Sequence, residues 1–212
     1  MITLQLIFYC QLTPEEYHKA GSEFPFPRPE GCLHPDCRMP VSPRPHGFYT
    51  RNAINTRFSG RILIRRYHCR YCGHTFSCLP SFCLPYFQYT LEMIFFGLLC
   101  HFFKILPFLQ ALALSLNWQR QHLQFYQRRF MANLKRIQIV LRQLIPRAAF
   151  PQGDNKITGA KRVLGIVISG FVTIQAFSTR FFAQCNSTNC RGCDKGYCWW
   201  DFLPQPWKYT VQ

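Results

Sequence analysis

Cys32-Leu33-His34-Pro35-Asp36-Cys37 and Cys69-Arg70-Tyr71-Cys72 decide how this chain is read. Each pair is spaced closely enough to chelate one ion, and four thiolates together make a closed tetrahedral zinc site. Between the pairs, Gly47-Phe48-Tyr49-Thr50-Arg51 and Arg61-Ile62-Leu63-Ile64-Arg65-Arg66-Tyr67 read as strands about the turn-prone Ser59-Gly60. The second strand leads directly into Cys69. This is the layout of a zinc ribbon, in which a metal fixes the register of a hairpin. Cys32, Cys37, Cys69 and Cys72 are the candidate ligands and Zn2+ the expected cofactor. Four protein ligands leave no open position, so the metal is expected to hold structure and not to catalyse.

Outward from this stretch, charge is the most unusual property. Lys and Arg number 25 against 9 Asp and Glu, a formal net charge of +16 in 212 residues. No acid occurs between Asp36 and Glu92, or between Glu92 and Asp154. Such a surface attracts polyanions, and double-stranded DNA is the expected partner. Arg51, Arg57, Arg65 and Arg66 decorate the hairpin, and the arginine fork suits phosphate oxygens.

Twelve cysteines would suit a disulfide-rich secreted protein. The start Met1-Ile2-Thr3-Leu4-Gln5-Leu6-Ile7-Phe8, however, lacks a basic leader region and alternates like a short strand. A reducing cytoplasmic location, with cysteine pairs holding metal, is therefore expected; in a prokaryote this would be at the nucleoid. The apolar windows 93–116 and 163–177 are interrupted or short, so no membrane partner is expected.

The chain divides into four parts. Residues 1–31 read as a lead-in strand followed by a proline-rich linker, and residues 32–86 as the ribbon. Residues 88–146 read as three helices: Leu91 to Phe103 behind a Thr90 cap, a short helix opened by Pro107, and a long one from about Trp118 to Ile145. Two short connections of this kind fit a helix-turn-helix. The third helix opens with Asn117, Gln119, Arg120, Gln121 and Gln124, which can read base edges, followed by Arg128 and Arg129 for phosphates. Its apolar positions Leu123, Tyr126, Phe130, Leu134, Ile137, Leu141 and Leu144 also allow a helical hairpin packed on the ribbon, or a homodimer seam.

Residues 147–212 form a C-terminal segment. Val163 to Ile174 suits either two buried strands or one hydrophobic helix. Cys185, Cys190, Cys193 and Cys198 offer a second metal site, a redox-sensitive cluster or a metal-free tail, and Trp199, Trp200 and Trp207 suit docking to a protein partner. Cys78 and Cys83 read as buried thiols.

The run Arg66-Tyr67-His68-Cys69-Arg70-Tyr71-Cys72-Gly73-His74-Thr75-Phe76-Ser77, with Leu79-Pro80 and Pro85-Tyr86 after it and Cys32-x(4)-Cys37 before it, resembles the amino-terminal zinc ribbon of insertion-sequence transposases. It is most similar to small mobile-element proteins that join such a ribbon to a helix-turn-helix. The resemblance spans roughly residues 30–145. It implies the same four zinc ligands and DNA as partner, with a transposase or another protein as the candidate second partner.

Transposases of that kind cut DNA with three widely spaced carboxylates holding two metals. Here the acids beyond Glu92 are Asp154, Asp194 and Asp201, the last two close together around the cysteine-rich tail. The chain is therefore expected not to be an enzyme. The expected fold class is α+β: a zinc ribbon, a helix-turn-helix region and a Cys-rich end. Two other readings stay open: an interaction module using zinc only to fold and its Trp-rich tail to dock, and a basic membrane-associated protein.

Overall fold

The computed structural model describes residues 4–187, apart from Pro35, Ala149 and 151–154. The chain is α+β: a four-stranded mixed sheet with one helix set against it, followed by five further helices.

β1 (Leu4–Phe8) opens the chain as its alternation predicts. α1 (Pro14–Ala20) follows inside what reads as linker. Its signal is a capping box: the Thr13 N–H donates to the Glu16 carboxylate at 2.8 Å, the Glu16 N–H donates to the Thr13 hydroxyl at 3.3 Å, and Pro14 occupies the first turn. The helix is held down by Tyr17, which is 1% exposed and donates its hydroxyl to the Leu63 carbonyl at 3.0 Å.

β2 (Arg44–Ile54) and β3 (Ser59–His68) form the hairpin between the cysteine pairs. The turn lies at Asn55–Phe58 and not at Ser59-Gly60. The Asn55 side chain accepts the N–H groups of Arg57 and Phe58 at 2.8 and 2.6 Å, an Asx turn that outcompetes the glycine downstream. β4 (Thr75–Pro80) then runs back antiparallel to β3 and pairs parallel with β1, giving the order β1-β4-β3-β2. The first residues of the chain thus complete the ribbon's sheet.

Both faces of the sheet are covered. Tyr67, Phe76 and Cys78 lie on one, closed by Leu6, Phe8 and the proline-rich segment, whose Pro27 carbonyl accepts the Tyr67 hydroxyl at 2.9 Å. Ile7, Ile62, Ile64 and Leu79 lie on the other and continue into the helices through Phe82, Leu84 and Phe87.

α2 (Leu91–Phe102), α3 (Leu106–Ser115) and α4 (Arg120–Leu144) match the three expected helices to within a few residues. Thr90 sits at the first cap position, but its side chain makes no cap bond. The stripe Tyr126, Phe130, Leu134, Ile137 and Leu141 is buried inside the chain against α2, α5 (Lys156–Gly170) and α6 (Ile174–Ser187). Positions that the spacing allowed as a dimer seam are thus taken up by the chain's own core.

The ambiguous segment from Val163 is helical as far as Gly170, and a new helix begins at Ile174. Asn155 caps α5 by accepting the N–H groups of Ile157 and Thr158 at 3.0 and 3.2 Å, which commits the following residues to a helix. Among the described residues no single helix is long and apolar enough to cross a membrane; α5 with the start of α6 passes only as a pair, bent by 106°.

Gly97 lets the turn before α4 sit on α2. A Cβ there would lie 2.5 Å from Cζ3 of the buried Trp118 indole. Gly97→Ala gains about 1 kcal/mol of helix propensity but overpacks a rigid ring at about 1–3 kcal/mol. A net loss of up to about 2 kcal/mol is expected in denaturant unfolding; a stabilised variant would show that the indole has room to move.

Candidate metal centre

The two cysteine pairs meet at the end of the sheet where β2 begins and β3 ends. Cys32 and Cys37 lie in the loop before β2, and Cys69 and Cys72 in the turn from β3 to β4. Each loop is a small hydrogen-bonded knuckle. In the first, the Cys37 and Arg38 N–H groups both donate to the His34 carbonyl at 3.1 Å, and the Cys32 N–H donates to the Met39 carbonyl at 2.9 Å. In the second, the Gly73 N–H donates to the Cys69 carbonyl and the Cys69 N–H to the His74 carbonyl, both at 3.0 Å. Gly73 has φ +70°, a left-handed conformation that glycine adopts without strain.

These knuckles aim four sulfurs at one point. Sγ of Cys32 and Cys72 are 3.6 Å apart, Sγ of Cys37 and Cys69 are 3.9 Å apart, and all four lie within 4.8 Å of one another. A tetrahedral ion with Zn–S bonds of about 2.3 Å spans sulfur–sulfur edges of about 3.8 Å. The four cysteines fit that figure with only a small closure, so the cluster could hold one metal ion, and its all-thiolate donor set suits zinc.

Electrostatics agree with a site built around a cation. Burial pushes the Cys32 thiol up to about 12, with the neighbouring thiols adding to it. Cys69 is also desolvated, but the N–H groups of Cys72 and Tyr71 outweigh this and bring it down to about 7. Burial likewise raises Cys72. Three sulfurs pulling against one another beside a fourth are what a divalent ion would relieve.

His34 and His74 stack at 3.9 Å beside the cluster, yet no histidine joins the ligand group. Cys78 and Cys83 are buried free thiols, as expected, raised by desolvation to about 12 and about 11. The side chain of Cys185 and all of Cys190, Cys193 and Cys198 lie outside the described residues, as do Trp199, Trp200 and Trp207.

The candidate DNA-contacting residues are dispersed. Arg57 is exposed at the hairpin turn. Arg65 lies over the Phe48 ring at 4.5 Å, whereas Arg51 and Arg66 line a cavity together with residues of the opposite sheet face. The hairpin arginines therefore do not form one stripe. Asn117, with φ +49°, and Gln119, Arg120, Gln121, Gln124 and Arg128 are exposed together at the start of α4. Arg129 departs from expectation. It is 7% exposed, with its guanidinium 4.9 Å from the Phe87 ring centroid and 5.4 Å from that of Phe125, so it belongs to the core and is not presented to a phosphate backbone. It falls on the stripe side of the helix, one residue before Phe130, a position that helical spacing alone reveals.

Residues 34–97 match a domain of unknown function, DUF6431. That span takes in Cys37, Cys69, Cys72, the hairpin, β4 and the first half of α2, and covers less than half of the chain. No curated protein and no solved structure matches this sequence.

Proposed function

We propose that this is a non-catalytic DNA-binding protein in which a zinc-fixed sheet carries a helix-turn-helix. The observation that carries the reading is the start of α4. Six side chains able to contact bases or phosphates are exposed there together, on a helix whose opposite stripe is anchored in the core. No acid lies between Glu92 and Asp154 to repel a phosphate backbone. Arginines would supply salt-dependent affinity, and the amide side chains whatever sequence preference exists. The resemblance of the ribbon to that of insertion-sequence transposases supports a role in recognising or regulating the ends of a mobile element, with the cutting chemistry supplied by a separate transposase.

The test is fluorescence anisotropy on a labelled duplex over a salt series. Arg128→Ala should weaken binding evenly across sequences and reduce the slope of log K against log salt by about one. Gln121→Ala should instead flatten preference between duplexes. Binding that is absent, or indifferent to salt, would overturn the reading.

A second reading, a zinc-stabilised protein-interaction module, has one observation of its own in the described residues. Leu106, Phe108 and Leu114 on α3 are 58%, 61% and 84% exposed. Under that reading Arg128→Ala leaves partner capture intact, and α3 substitutions abolish it.

A further inference from the structure

On the sheet face that carries the helices, the strands leave a cavity of about 520 Å³. Strand register aligns Gln5 of β1, Ser77 of β4 and Arg66 of β3 in one row across it. Tyr49, Arg51 and Asn52 of β2 and residues 86–88, from the segment after β4, line the remainder. Arg51 and Arg66 are hairpin arginines already singled out by sequence; the cavity they share with Gln5 and Ser77 is not legible there.

Three features show that it is built to receive something. First, the Ser77 hydroxyl is fully buried and has no hydrogen-bond partner, and the buried Gln5 Oε1 has none either. The Tyr49 hydroxyl lies near Ser77 but makes no hydrogen bond of normal geometry to it. Protein interiors seldom leave such groups without a partner. Second, two guanidinium groups reach the cavity, and no carboxylate of the described residues lines it. Third, among the described residues both are fixed by neutral acceptors and not by counter-ions. Arg51 donates through Nη2 to the Leu84 carbonyl at 2.7 Å and to the Phe87 carbonyl, and Arg66 donates to the Thr75 hydroxyl at 3.3 Å. Two cations held in place with their charge uncompensated favour an anion, and the arginine fork matches a phosphate in particular.

The geometry points to a nucleotide site: the phosphate between Arg51, Arg66 and Ser77, and the base against the aromatic wall that includes Tyr49 and Tyr86. The cavity is far larger than inorganic phosphate requires, and its lining pairs charged donors with aromatic rings, the combination that holds a nucleotide in single-stranded nucleic-acid sites. The nucleotide can come from two sources, a free mononucleotide or an unpaired residue of a strand. This inference does not depend on α4 binding duplex DNA.

The test is isothermal titration of the full-length, zinc-loaded protein with AMP, GMP, CMP and UMP, with adenosine, with inorganic phosphate and with a single-stranded oligothymidylate hexamer. At least one mononucleotide should bind at least tenfold more tightly than either adenosine or phosphate. Ser77→Ala and Arg66→Gln should each lower that affinity at least tenfold while metal content and melting temperature stay near those of the parent; Arg51 is left intact because it also ties down the 84–87 backbone. A hexamer that binds far more tightly than any mononucleotide, with the same two sensitivities, identifies the strand as the source; equal affinities identify the free nucleotide. Phosphate alone binding as tightly as a nucleotide, or affinities that ignore both substitutions, overturns the proposal, as does the absence of all binding at millimolar ligand. Arg128→Ala should leave nucleotide binding unchanged, so loss of duplex binding and loss of this site are separately visible.

Discussion

Cys69→Ser is expected to abolish metal binding and unfold the ribbon. Cys69 is 1% exposed, and its knuckle joins β3 to β4, so removing one sulfur opens the tetrahedron at the point where two strands are registered. Structural zinc contributes about 10–16 kcal/mol in zinc-finger peptides at neutral pH, as much as the whole stability of a typical domain, about 5–15 kcal/mol. The parent should carry one zinc per chain by elemental analysis. Cys69→Ser should carry none and lose the cooperative thermal transition. Cys78→Ala, a buried thiol outside the cluster, should keep its metal. The same site predicts a pH dependence. Burial holds the Cys32 and Cys72 thiols above their ordinary range, so both are protonated at neutral pH and must release protons as metal binds. Zinc retention against a fixed chelator should therefore fall on going from pH 8 to pH 6. A parent protein without metal, or a Cys69→Ser variant that retains it, would remove the basis for the zinc ribbon.

Phe82→Ala should cost about 3–5 kcal/mol, the usual range for truncating a fully buried aromatic. Phe82 is 1% exposed where the sheet passes into the helices. Its ring meets that of Tyr17 edge-on at 5.6 Å, and its carbonyl accepts the Leu91 N–H at the start of α2. Because one core cluster runs from Ile7 to Phe181, the loss should appear as a single transition shifted to lower denaturant, followed equally by far-ultraviolet circular dichroism and tryptophan fluorescence. Two separate transitions, only one of them moved, would show that ribbon and helices fold independently.

How much of this could be read before folding depends on how local each cause is. The chelating pairs Cys32/Cys37 and Cys69/Cys72 declare themselves because ligand spacing is a short-range property, and α2 to α4 declare themselves through Pro107 and the three-and-four spacing of Tyr126, Phe130 and Leu134. The capping box that starts α1 was equally local, but the prolines around it hid it. The turn at Asn55 depended on a side chain closing on its own backbone, against which a Ser-Gly pair is the louder signal.

What only the tertiary structure decided involves residues far apart in sequence. Pairing of β1 with β4 turns a lead-in segment into part of the sheet, packing places Arg129 among Phe87 and Phe125, and strand register brings Gln5, Ser77 and Arg66 into one row. The physical reason is that burial and cross-strand neighbours are properties of the assembled core, and no window of sequence contains both partners.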